Sequence, residues 1–228
     1  MKFDFQRFAG PQFWKRFWLM LFGIFFMGFF LSFLRKVSWG LDPYTFQNEN
    51  IRQRLGWTLG NWQLLLNAIL FVVVVVFDRR LIGLGTIFNW VLIGYTADFF
   101  TWLWTKLIPQ DVFTAPSFLW LKVLIFVFAI LLFITSASVY MNADSGLSPY
   151  DAVAYIISQK LNRIPFFICR ICYDLFAIAV GIVSTIGTSI SFKTSFVGSF
   201  VMALLLGPAI QLVGRFINKY ILKTNEVA

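Results

Sequence analysis

Six apolar runs, each long enough to cross a lipid bilayer as a helix, constrain the fold of this chain more than any other feature. A hydrocarbon core of about 30 Å needs roughly 20 helical residues. The runs extend over about residues 18–34, 59–77, 81–107, 118–141, 164–186 and 194–220. Since 59% of all residues are hydrophobic and only 13% are charged, a soluble globule is excluded. We predict an all-α, polytopic membrane protein, with residues 1–228 forming a single membrane domain in contact with lipid.

A short motif that occurs twice divides the chain into two related halves. The sequence GLDPY occupies residues 40–44, and GLSPY occupies residues 146–150, at an offset of 106 residues. The same offset aligns Ile51, Gln53 and Leu55 with Ile157, Gln159 and Leu161. Further on, the stretch that begins at Gly85 aligns with the one that begins at Gly198, at an offset of 113 residues. Each half, residues 13–107 and residues 118–220, therefore contains one span, a Pro-Tyr segment and two more spans.

The number of spans in each half decides how the halves are related. Three crossings is an odd number, so the second half must enter the membrane from the opposite side. Such inverted repeats are typical of secondary transporters. If the Pro-Tyr segments crossed as well, each half would have four spans and the repeats would be parallel.

The distribution of Lys and Arg favours the inverted arrangement. With six spans and a cytoplasmic N-terminus, eleven basic residues lie inside, including Lys2, Arg7 and Lys223, and seven lie outside. The positive-inside rule then places both termini in the cytoplasm. The net charge of +9 is explained by basic residues that flank the spans and meet anionic headgroups, so we expect no nucleic-acid partner.

The two Pro-Tyr segments, residues 39–57 and 146–163, are each predicted to contain a short helix. Proline is well tolerated in a first helical turn, and both segments are too short and polar to cross a bilayer alone. Two positions remain open. The helices can be re-entrant, so that their unpaired N-terminal N–H groups form two facing polar sites. Alternatively they can be interfacial, lying on the membrane surface, with Asp151 capping a first turn.

The composition argues against catalysis. The chain has no histidine, the commonest general base and metal ligand. Cys169 and Cys172 form a CxxC pair inside an apolar run, without further ligands nearby, and we expect buried, inert thiols. We therefore predict that the protein is not an enzyme and has no catalytic residues, metal or cofactor.

Polar residues in or beside the spans are the candidates for binding a small solute. Ionisable groups inside spans are costly and mark sites that serve either function or packing. Arg170 and Asp174 are four residues apart and can pair on one helix face, either as a structural ion pair or as part of a binding site. Asp98 can load a proton or a cation, or can be solvated near the end of its span. The candidate set is Tyr44, Asn48, Asp98, Tyr150, Asp151, Arg170, Asp174 and Gln211.

Four blocks of sequence resemble a known family. The two motifs, together with LIGYTAD at residues 92–98 and LLGPAIQ at residues 205–211, resemble the YitT/YczE-like bacterial integral membrane proteins. The resemblance covers about residues 13–220 and implies about six spans in a bacterial cytoplasmic membrane, without implying an established activity. This chain departs from the family pattern, because Tyr44 and Tyr150 replace tryptophan and because Thr45 and Gln211 each replace an acid.

Two functions from different classes follow. The first is a transporter-like protein that binds or moves a small solute at the interface between the repeats. The second is a non-transporting membrane scaffold or regulator that holds a partner protein. A polar cavity that joins the candidate residues would favour the first, whereas a dry, tightly packed interface beside an exposed apolar groove would favour the second. The sequence leaves the solute and the oligomeric state open.

Overall fold

The computed structural model describes residues 13–109, 111–161, 163–217 and 219. The regular elements in these ranges are all helical, with no strand among them, which confirms the all-α prediction. Tyr220, the predicted end of the sixth span, lies outside the described residues, as do Lys2, Arg7 and Lys223 of the charge distribution.

The helices follow one another along the chain with short connections. Their bounds are α1 Phe13–Val37, α2 Pro43–Leu55, α3 Leu59–Phe77, α4 Leu84–Leu107, α5 Asp111–Thr114, α6 Leu119–Asn142, α7 Pro149–Lys160, α8 Phe166–Val183 and α9 Lys193–Ile217. The Pro-Tyr segments contain the short helices α2 and α7.

Five of the described helices are long and apolar enough to cross a membrane: α1, α3, α6 with the turn before it, α8, and α9 from Ser195 onward. The remaining predicted span, the third at residues 81–107, corresponds to α4. This helix has 24 residues, and polar side chains, among them Thr86, Asn89, Asp98 and Lys106, are spread along its length. The prediction of about six spans is therefore confirmed for five, and α4 has the length of a span but is not among the five.

The core is built around α1, which packs against α6 and α4. Met20, Ile24 and Leu31 of α1 are fully buried, and so is Tyr140 of α6. Large apolar side chains such as Val72, Phe128 and Leu212 point outward and are exposed, as a surface that faces lipid requires. Hydrophobic side chains therefore lie on the outer surface as well as in the core, because the bilayer is the surrounding solvent.

The helix contacts occur in matched pairs. The contact of α1 with α4 has its counterpart in that of α6 with α9, and α3 contacts α4 as α8 contacts α9. The short helices cross over: α2 packs mainly against α8, whereas α7 packs against α3. Each Pro-Tyr helix is therefore held by a long helix of the other half.

Glycines allow the motif loops to approach the long helices closely. A Cβ added at Gly40 would lie 2.7 Å from the Cα of Gly198, at the start of α9, and one added at Gly146 would lie 2.5 Å from the backbone nitrogen of Gly83, just before α4. Gly146 also has a φ of +104°, which side chains rarely adopt. The glycine of each GLxPY motif is thus required by a backbone crossing.

The structure corrects one prediction about the cysteines. Cys169 is buried, as expected, but Cys172 is exposed. The two residues are three positions apart on α8, and only Cys169 is packed inside the protein. The prediction of two buried thiols is wrong for Cys172.

Candidate functional site

The two Pro-Tyr helices begin in the same way. The Asp42 carboxylate accepts a hydrogen bond from the Thr45 N–H at 3.0 Å, and the Ser148 hydroxyl accepts one from the Asp151 N–H at 3.1 Å. Each proline follows its capping residue directly, where its missing N–H leaves no helical bond unmade. Ser148, and not Asp151, is therefore the N-cap of α7.

The first turns of these two helices meet at their tyrosines. The rings of Tyr44 and Tyr150 lie 4.4 Å apart between centroids, and Tyr173 of α8 lies 4.5 Å from Tyr150. Tyr44 and Tyr150 occupy the same position in the two copies of the motif. Matching residues of the two halves are thus in direct contact.

Each tyrosine also shows how far α2 and α7 reach along the neighbouring long helix. The Tyr44 hydroxyl donates to Asn67 Oδ1 at 2.7 Å, and the Tyr150 hydroxyl donates to Asp174 Oδ1 at 2.8 Å. Asn67 is the ninth of 19 residues in α3, and Asp174 is the ninth of 18 in α8. At 1.5 Å per residue, both contacts lie about 12 Å from the start of the long helix, which is close to its midpoint.

From this midpoint the short helices run back toward the starts of the long ones. The indole N–H of Trp62, in the first turn of α3, donates to Asn48 Oδ1 at 2.9 Å. In the other half, the ring of Tyr155 lies 6.3 Å from that of Phe166, the first residue of α8. Both short helices therefore begin beside the middle of a long helix and end beside its N-terminus.

One arginine joins two carboxylates beside this meeting point. Arg170 Nε donates to Asp174 Oδ2 at 3.1 Å, which is the i, i+4 pair that the spacing predicts, and Arg170 Nη1 donates to Asp151 Oδ1. The Asp174 side chain is only 2% exposed. Asp151 also accepts from the Ser148 hydroxyl at 2.6 Å. The ion pairs thus connect the first turn of α7 to α8.

A cavity of about 140 Å³ lies between the two first turns. Five of the predicted site residues line it: Tyr44, Tyr150, Asp151, Arg170 and Gln211. Polar side chains outside the prediction line it too: Asp42, Thr45, Gln63, Asn67, Asn89 and Ser148. The structure therefore brings most of the candidate residues to one polar-lined space between the halves.

Two further candidates lie next to the cavity without lining it. Asp174 lies behind Tyr150 and Arg170, to which it is hydrogen-bonded. Asn48 is fully buried and bonded to Trp62, and its Nδ2 atom has no hydrogen-bond partner among the described residues. Asp174 thus holds two residues that line the cavity, whereas Asn48 holds Trp62 at the start of α3.

Asp98 lies in a different place, at the start of α3. Its carboxylate accepts from the N–H of Gly60 at 2.6 Å and of Leu59 at 3.3 Å, and it forms an ion pair with Arg35 of α1 at 3.0 Å. Arg35 also pairs with Glu49 of α2 at 3.0 Å. Asp98 thus supplies negative charge at the positive end of a helix and joins α4 to the start of α3 and the last turn of α1, outside the cavity.

A family model described as a family of unknown function (DUF6198) matches residues 14–215, nearly the whole described chain. The chain belongs to the DUF6198 family. It is 26% identical over 121 residues to the uncharacterized membrane protein YczE of Bacillus subtilis (strain 168). That alignment covers 53% of this chain and 52% of YczE, so it spans about half the length of the relative. No solved structure matches the chain. The resemblance to YczE-like proteins is confirmed, and the chain is a multi-pass membrane protein.

In this DUF6198 protein the two halves carry different side chains at matching places. Gln63 and Asn67 are the fifth and ninth residues of α3, and Arg170 and Asp174 are the fifth and ninth residues of α8. Reasoning from the sequence missed Gln63, although the same comparison of halves, at an offset of 107 residues, would have found it. One half therefore presents an amide pair where the other presents an ion pair.

Reasoning from the sequence also missed Asp42. Its residue is 8% exposed, and its Oδ2 atom has no hydrogen-bond partner among the described residues. Burial raises the pKa of this carboxyl, while the hydrogen bonds from Thr45 lower it. Its position could have identified it. Asp42 aligns with Ser148, so the first motif has a charged residue where the second has a neutral one.

Proposed function

We propose that this DUF6198 protein binds a small solute between its two halves and carries it across the bacterial cytoplasmic membrane. The observation that carries the proposal is the meeting of two helix N-termini around one cavity, each beside the middle of a spanning helix. Secondary transporters bind their substrates near the bilayer midplane at the interface between repeats, where discontinuous helices end. The position of the cavity between the two motif helices and its polar lining support the same arrangement here.

The contacts between the halves support inverted repeats. Counterpart helices make counterpart contacts, and the short helices exchange partners. The ring contact of Tyr44 with Tyr150 joins a residue to its own counterpart, as happens on a two-fold axis. In an inverted repeat this axis lies in the membrane plane, so the cavity beside the tyrosines would be reached from either side in turn.

The burial of α2 and α7 supports re-entrant rather than interfacial helices. Phe46 and Asn48 of α2 are fully buried, and so is Ala152 of α7. An interfacial helix keeps one face in the headgroup region, whereas these helices begin beside the midpoints of α3 and α8. The exposed ends of both helices, at Leu55 and Leu161, would then lie on opposite membrane faces.

Single cysteines at these two ends test the topology. Leu55 and Leu161 are matching residues, each 46% exposed. In a background with Cys169→Ser and Cys172→Ser, we expect Leu55→Cys to react with an impermeant maleimide from the outside and Leu161→Cys to react from the cytoplasm. This result would also place both termini in the cytoplasm. Labelling of both cysteines from one side would mean parallel repeats and would remove the support for transport.

Filling the cavity tests the function. Gly207 lines the cavity, and among the described residues no atom lies within 4 Å of a Cβ added there. Gly207→Leu should therefore fold at least as stably as the native chain, since leucine favours a helix over glycine by about 1 kcal/mol. We expect it to abolish uptake of the solute that native protein accumulates in proteoliposomes, in a screen of labelled cationic, neutral and anionic solutes.

The matched control is Ala179→Leu, an addition of similar size on the exposed face of α8, which should leave uptake unchanged. Full uptake by Gly207→Leu would show that the cavity is not the route. Absence of uptake of every solute by the native protein would favour the alternative, a membrane scaffold or regulator. The polar lining of the cavity favours solute binding over a scaffold function, because a scaffold needs no polar space between its halves.

A further inference from the structure

One carboxylate oxygen in the cavity is available for a ligand. Asp42 Oδ1 accepts the Thr45 N–H and so serves as the helix cap, but Asp42 Oδ2 is buried and has no partner within the described part of the chain. A buried polar atom without a hydrogen bond is costly, and a buried charge more so. Since Asp42 lines the cavity, a ligand bound there can satisfy this atom.

The charges around the cavity favour a cation. The ionisable Asp and Arg side chains described there are Asp42 and Asp151 in the lining, with Asp174 directly behind it, and a single arginine. Arg170 is already engaged by Asp151 and Asp174. Its one positive charge is shared by two carboxylates, which leaves Asp42 without a cationic partner. Asp42 is therefore the place where added positive charge is most needed.

The geometry points to a small organic cation with one ammonium group, bound by Asp42 Oδ2, as the solute. This inference rests on the proposed solute-binding function and names its chemical class. A cavity of about 140 Å³ is close in size to the engineered cavities of about 150 Å³ that admit benzene. Gln63, Asn89, Ser148 and Gln211 line the same space, and amide and hydroxyl oxygens are able to accept ammonium hydrogens.

A divalent metal fits the residues less well. Among the described residues there is no group of three or more Asp, Glu, Cys or His side chains that could hold a metal ion. Calcium and magnesium sites in proteins use several oxygen ligands, with carboxylates prominent among them. One available carboxylate oxygen beside neutral amides matches a single positive charge better.

Three probes of similar size and different charge test the inference on the purified full-length protein. Binding of butylammonium, butanol and butyrate is measured by the shift of the thermal unfolding midpoint with ligand concentration, with sodium chloride as the inorganic reference. We expect butylammonium to bind and butyrate not to bind. Asp42→Ser should weaken butylammonium binding by about tenfold or more, because a charge-assisted hydrogen bond is lost.

The variants are chosen so that the fold is preserved. Serine already caps α7 at the matching position, so Asp42→Ser keeps a cap on α2 while removing the charge. Asp42→Asn is a second variant of nearly the same shape. Asp78→Ser is the control: Asp78 also caps a helical turn, accepting the Arg80 N–H at 3.1 Å, but lies outside the cavity lining, and its replacement should leave binding unchanged.

Each other outcome overturns the inference in a distinct way. Equal butylammonium binding by native protein and both Asp42 variants would remove Asp42 as the partner. Stabilisation by sodium alone, lost in Asp42→Ser, would make the ligand an inorganic cation. Binding of butanol or butyrate in place of butylammonium would contradict a cationic solute but leave the proposed function intact. If no probe binds and the solute screen also finds no uptake, both proposals fall.

Discussion

Asp174→Ala is expected to lower the free energy of unfolding by about 3 kcal/mol. The Asp174 side chain is 2% exposed and accepts hydrogen bonds from the Tyr150 hydroxyl and from Arg170 Nε. Its removal leaves two buried donors without an acceptor and weakens the neutralisation of a guanidinium inside a spanning helix. Arg170 keeps Asp151, which holds the loss to the lower end of the usual range for a broken buried pair. Reversible unfolding in detergent, followed by circular dichroism, measures the change.

The other half of the chain supplies the comparison for this prediction. A triple variant, Asp151→Thr, Arg170→Gln and Asp174→Asn, gives the second half the residues that occupy the matching places in the first, Thr45, Gln63 and Asn67. This variant leaves no buried charge without its partner. It should therefore lose less stability than Asp174→Ala alone, although it changes three residues. A native-like unfolding curve for Asp174→Ala would mean that the ion pair has no structural role.

Gly146→Ala is the second substitution with a large expected effect, a loss of about 3 kcal/mol or more. Two costs add up at this position. The φ of +104° strains any residue with a Cβ, by about 1–3 kcal/mol, and the new Cβ would lie 2.5 Å from the Gly83 nitrogen. The neighbouring atom is backbone at the start of α4, so it cannot move aside without shifting the helix, and overpacking of this kind costs about 1–3 kcal/mol.

Gly187→Ala separates these two costs. Gly187 also has a positive φ, of +76°, but among the described residues nothing lies within 4 Å of its added Cβ. It should therefore lose only about 1 kcal/mol, the conformational part. Thermal unfolding of both variants in the same detergent gives the comparison. Equal losses would mean that the crossing of the motif loop with α4 is not tightly packed.

The parts of this structure that could be predicted from the sequence are those with a local or repeated signal. Apolar length marks the spans, and the spacing of Arg170 and Asp174 along one helix is enough to pair them. The matched motifs place Tyr44 and Tyr150 at equivalent positions, and the re-entrant alternative has the two motif helices facing each other. These features depend on periodicity or on comparison of the halves, both of which are visible in one chain.

The remaining features depend on partners that are distant in sequence. Asp98 has no partner in its own helix, and only the fold brings Arg35 and the start of α3 to it. The exposure of Cys172 depends on which face of α8 meets its neighbours. The Oδ2 atom of Asp42 has no partner because, among the described residues, no hydrogen-bond donor reaches it. A sequence pattern identifies such residues as polar and unusual, but the packing of helices decides what each one touches.

The amide pair in one half and the ion pair in the other have a consequence for the resting state. If the two halves exchange roles as the cavity opens to one side and then to the other, identical halves would make the two forms equal in free energy. Closing a half off from water costs an amide pair such as Gln63 and Asn67 less than it costs an ion pair such as Arg170 and Asp174. On the proposed transport function, the form that opens the ion-paired half to water would therefore be favoured, and one particular membrane face would be the resting entrance.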